Sequence, residues 1–89
     1  MTLAFPNPSR NFDETRHGVR FSGHDGMFEI LFFVEAAVLA EGKPPQTPLS
    51  EEQCLSAFDA MRPSIQDVAL KMYSGHHRQS NTLTTTDFR

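Results

Sequence analysis

Apolar positions in this chain gather into one run and one stripe. The run is MFEILFFVEAAVLA, residues 27–40, with twelve apolar residues of fourteen in a chain that is 38% hydrophobic. Just before it, Val19 and Phe21 alternate with Arg20 and Ser22 over His17–Ser22, the period of a half-buried strand. Gly23-His24-Asp25-Gly26 lies between, and Asp-Gly between two strand patterns signals a hairpin. The run therefore leaves a turn and begins extended, from Met27 to Val34, in residues that suit a pleated sheet. Phe28, Ile30, Phe32 and Val34 form an unbroken apolar face. The other face, Glu29, Leu31, Phe33 and Glu35, is half apolar, which places this strand near the middle of a small sheet. From Ala36 to Glu41 the composition favours helix, with Gly42 standing where a helix C-terminus wants it.

The stripe comes later. Ser50-Glu51-Glu52-Gln53 reads as a capping box, and Leu49 is positioned to staple onto Cys54. Cys54, Phe58, Met61, Ile65, Val68 and Met72 then recur at steps of three and four, with Leu55 and Ala69 widening the stripe. The phase survives Pro63, so the pattern predicts one kinked helix over about residues 51–74, with two abutting helices as the fallback and Gly75 as the C-cap. Thr2–Phe5 reads as a short strand ended by Pro6-Asn7-Pro8-Ser9, Asn11–Arg16 as a second turn region, and Thr82–Phe88 as a last strand. Lys43–Leu49, with three prolines in seven residues, reads as a loop within one domain covering residues 1–89. The order β-β-β-α-α-β predicts an α+β fold. A small antiparallel sheet of about four strands is covered on one face by a long helix from the C-terminal half.

Composition narrows the setting. The apolar run is shorter than the ~18–20 residues that span a bilayer and carries Glu29 and Glu35, so a membrane segment is not expected. Cys54 is the one cysteine, which rules out an intrachain disulfide and suits a reducing cytoplasm. MTLAFPNPSR lacks the basic and long apolar regions of a signal peptide. A net charge of −3 and a pI of about 5.7 argue against a general grip on nucleic acid.

FPNPSRNFD, VRFSGHDG, FEILFFVEAAVL and LSAFDAMRPSIQDVALKMY resemble the small bacterial proteins grouped as domain of unknown function family 1488. The most specific part is the order Phe-Pro and Arg-x-Phe-Asp, then Val-x-Phe, then Phe58-Asp59 with Arg62, Ile65, Ala69 and Tyr73. Pro63 and the proline-rich loop depart from the pattern. The resemblance implies a small cytoplasmic α+β domain of proteobacteria and implies no activity.

Candidate chemistry is sparse. His76-His77, joined through the fold by His24 or His17, is the tempting metal set. Adjacent histidines do not readily face one ion from a helix, and zinc ligand spacing is missing. Cationic groups at a helix C-terminus explain Lys71, His76, His77 and Arg78 more simply. Cys54, on the apolar stripe, reads as core, although a first-turn position can lower a thiol pKa. Asp13-Glu14 and Glu51-Glu52 show no split-pKa pairing, and no phosphate-binding glycine loop occurs. Arg62 flanks the stripe; it reads as a snorkelling side chain or an ion pair with Glu29 or Glu35, and alternatively as an anion-binding arginine.

Two binding surfaces remain. Leu31 and Phe33 are expected to be exposed on the uncovered sheet face, which points to an unknown protein partner or self-association. Arg10, Arg16, Arg20 and Arg78 with Phe12 and Tyr73 could instead form a surface for single-stranded nucleic acid, diluted by six acidic residues in the first forty-two. The residue pattern thus favours a non-catalytic interaction module, with a homodimer as one form it could take and without a cofactor, over a nucleic-acid binder.

Overall fold

In the computed structural model, residues 3–6, 9–40 and 50–88 are described. Two long strands form the centre: β3 (Gly18–Asp25) and β4 (Phe28–Glu35) pair antiparallel along all eight residues. The turn is tighter than the sequence suggests. Gly26 and Met27 alone connect the strands, with Gly26 at φ +62° in the first central position, the arrangement of a type II′ hairpin. Strand β3 therefore runs through Gly23 rather than ending there. A Cβ on Gly23 would lie 2.9 Å from the Phe5 ring, so glycine here makes room for the N-terminal strand.

The other edge of β3 is shared. Strand β2 (Arg10–Asp13) pairs antiparallel with Gly18–Phe21, and β1 (Leu3–Ala4) with His24–Asp25. The turn expected over Asn11–Arg16 is thus half strand. Its four residues have no long apolar alternation, and they are held partly from outside the sheet, as described below. Beyond β4, a short helix α1 (Ala36–Leu39) begins directly after Glu35. The expected Gly42 cap, the Lys43–Leu49 loop and the Leu49 staple lie outside the described residues.

Helix α2 (Glu51–His76) is one helix of 26 residues, continuous through the exposed Pro63. Its start has the expected capping box: the Ser50 hydroxyl accepts the Gln53 N–H at 3.2 Å, and the Ser50 N–H donates to Gln53 Oε1 at 2.9 Å. Its end lies past Gly75. His77 takes the left-handed cap at φ 51° and donates its N–H to the Tyr73 carbonyl at 2.7 Å. Strand β5 (Ser80–Leu83) follows, and Thr85–Phe88 is a 3₁₀ turn, so the expected Thr82–Phe88 strand starts earlier and is shorter.

β5 pairs parallel with β4, from Leu31↔Ser80 to Val34↔Leu83, because the long helix returns the chain to the end where β4 began. The sheet is therefore mixed and five-stranded, in the order β1-β3-β4-β5 with β2 also on β3, where a purely antiparallel sheet of four was expected. The α+β class and the single long helix hold. Both helices lie on one face, over Val19, Phe21, Ile30, Phe32, Val34 and Leu83, which share the buried core with Phe58, Ile65 and Ala69 of α2. No helix among the described residues is long and apolar enough to cross a membrane.

Candidate functional site

Strand alternation puts Asn11, Arg20, Ser22, Glu29, Leu31 and Phe33 on the face that the helices leave open. Here the sheet cups a groove of about 370 Å³. Its floor is Leu31 and Phe33; Arg16 and Arg20 stand at one end and Glu29 at the other, with Ser22 and Ser80 between.

Leu31 is 48% exposed, as expected. Phe33 is not exposed: it retains 4% of its surface, because the Arg16 guanidinium lies 4.0 Å over its ring and Gly18 leaves space for the ring to lean across β3. Arg16 is itself placed from three sides. Its N–H donates to Asp13 Oδ1 at 3.0 Å, its Nη2 donates to Thr82 Oγ1 at 3.1 Å, and its plane covers Phe33. Arg20, opposite Phe33 in register, faces Asp13 only loosely at 3.7 Å and keeps 60% of its side chain in solvent. No local pattern marks Arg16 as a floor-covering residue, since Phe33 and Thr82 are distant in the chain.

The remaining candidates divide between other places. Arg62 does not meet Glu29 or Glu35, which belong to the open face. It donates to Asp59 Oδ1 at 3.0 Å and lies 4.9 Å over the Phe58 ring on the helical side. Asp59 is also gripped by both arms of Arg10, at 3.0 and 2.8 Å, and this clamp ties the otherwise weak β2 to α2. Tyr73 is buried rather than displayed, and its hydroxyl donates to Asp25 Oδ2 at 2.6 Å, which raises the phenol pKa. Arg78 is exposed beyond the end of α2. Thus Arg10, Phe12 and Tyr73 sit on the helical side while Arg16 and Arg20 sit on the open face, and the proposed arginine–aromatic surface is not assembled in one place.

His24 lies on the open face, whereas His76 and His77 end α2, with the His77 ring 5.4 Å from that of Tyr73 on the helical side. Among the described residues no group of three or more His, Cys, Asp or Glu side chains could hold a metal ion. Cys54 is buried, and burial pushes its thiol pKa up, against the first-turn effect. Among the described residues the most exposed large apolar side chains are Met27 at 97% and Phe28 at 71%, at the hairpin tip; Phe28 has the inward parity expected of it but lies beyond the helical cover.

The clamp carries a pH prediction. Hydrogen bonds from Arg10, assisted by Arg62, hold the Asp59 carboxyl below its ordinary value. A depressed folded pKa contributes stability above the unfolded value of about 3.9 and loses it as pH falls through the folded value. Asp59→Asn should therefore lower the urea midpoint at neutral pH, and the gap to the parent should shrink as pH falls below about 4. A gap independent of pH would remove the charge from this account.

Neither a curated protein nor a solved structure matches the chain. One family profile does, described as a protein of unknown function, and it covers residues 3–83 of the 89, from the first strand through Leu83. That span takes in the clamp, the Tyr73–Asp25 bond and the whole open face, so the chain belongs to the DUF1488 family.

Proposed function

We propose that this chain is a small non-catalytic interaction module of the bacterial cytoplasm, and that it docks a polypeptide partner on the open face of its sheet. The observation that carries this reading is the groove of about 370 Å³ with half-exposed Leu31 at its floor, on a sheet whose helices all lie on the opposite side. The lone cysteine, a buried free thiol, suits a reducing compartment. Nucleic acid is the less favoured occupant. The Phe33 face that could stack a base is taken by Arg16, and Phe12 and Tyr73 lie on the far side of the sheet.

The test is retention of partners from native lysate by the tagged protein, with and without nuclease, alongside Leu31→Asp. A charge at the groove floor should abolish retention of a specific protein while leaving the circular dichroism spectrum unchanged. Bound material that disappears with nuclease would overturn the reading in favour of nucleic acid. A solution mass twice 10.0 kDa that halves in Leu31→Asp would identify a second copy as the partner.

A further inference from the structure

Resting on that reading, we infer that the open face takes an extended segment carrying an acidic residue, an apolar residue and a basic residue at alternate positions. Three features of the groove specify the three chemistries. Arg16 spends one N–H on Thr82 and presents the rest of its fork, while Arg20, in register with Phe33 on the same groove, has only a loose contact with Asp13. Two guanidiniums that line the same groove with donors to spare match a carboxylate, which can accept from an arginine fork in pairs. Leu31 offers an exposed apolar floor in the middle, and among the described residues Glu29 is the one acidic side chain that lines the groove, at the end away from the arginines.

The spacing follows from β4 itself. Phe33, Leu31 and Glu29 are alternate residues of one strand, so the arginine end, the floor and the acidic end stand about 6.6 Å apart. An extended ligand has the same rise per residue. Its acidic residue on Arg16 and Arg20 thus puts the residue two positions along on Leu31, and the next alternate one on Glu29. A nucleic-acid strand fits this arrangement poorly, because Glu29 faces any phosphate run continued from the arginines.

Capped peptides Glu-Thr-Leu-Thr-Lys and its reverse, Lys-Thr-Leu-Thr-Glu, cover both chain directions. At low salt, one of them should bind the intact protein at least about tenfold more tightly than Lys-Thr-Leu-Thr-Lys or than the same peptide with Ser for Leu. Arg20→Glu, an exposed position, should abolish that preference and select the peptide with Lys at both ends. Equal binding of all peptides, or a preference unmoved by Arg20→Glu in a folded variant, overturns the inference. If it fails while Leu31→Asp still abolishes partner retention, the docking face stands and only its ligand chemistry falls. Arg20-dependent binding of an oligothymidine strand in place of the peptides would overturn both.

Discussion

Phe58→Ala should cost about 3–5 kcal/mol, the largest loss expected from any single truncation here. Phe58 is fully buried, and its ring lies 5.2 Å from that of Phe21, which stacks at 5.2 Å on Phe32. Phe5 closes the group at 6.1 and 6.0 Å from the same two rings. This aromatic cluster joins α2 to β3, β4 and the N-terminal strand, so the hole left by alanine touches every layer. A chain of 89 residues has a total stability of roughly 4–13 kcal/mol, and the loss is a large share of it. The truncation also deprives Arg62 of the ring beneath it. Urea unfolding would measure the effect, with Phe58→Leu, which keeps most of the volume, expected to lose about 1.5 kcal/mol or less. An alanine variant within 1 kcal/mol of the parent would mean that the helix does not rest on the sheet in this way.

Gly18→Ala should be the second most damaging change, although it adds only one methyl group. The new Cβ would stand 2.4 Å from Cζ of Phe33 and 2.4 Å from the Val34 carbonyl oxygen. The ring has little freedom to move, since Arg16 covers it from the other side. The carbonyl has less, being backbone of the strand paired with β3. Crowding of this kind costs typically 1–3 kcal/mol. The double variant with Phe33→Ala separates the two clashes. It should recover less than the ring alone would predict, because the carbonyl contact remains. If Gly18→Ala is as stable as the parent by thermal unfolding, the close approach of β3 and β4 at this point is wrong.

What could be read in the residues follows from where each element gets its stability. β3, β4 and α2 carry their own periodicity, and Asp-Gly and Ser-x-x-Gln mark their boundaries, so their existence and pairing were legible. β2 was not, because Arg10 and Phe12 acquire meaning only when Asp59 and the core come to meet them. The direction of β5 depends on which end of the sheet α2 returns to, and no local pattern encodes that. For the candidate site, alternation correctly placed Leu31 on the uncovered side. It placed Phe33 there too, but the ring is covered by an arginine seventeen positions earlier, a contact that only the β3–β4 hairpin creates. Arg62 and Tyr73 looked like surface candidates because their partners, Asp59 and Asp25, lie respectively in the same helix turn and across the fold.

The sheet order has a consequence for attachment. β1 and β2 hold one outer edge and β5 the other, and after β5 the chain turns under the helical layer, where Thr85–Phe88 lies against α1. Anything held through β1 and anything held through β5 would thus stand at opposite edges of the sheet, while the groove floor of Leu31 and Phe33 belongs to β4 between them. Such a unit can be tethered at both ends, or strung between two larger bodies, and still keep its open face clear to receive a third.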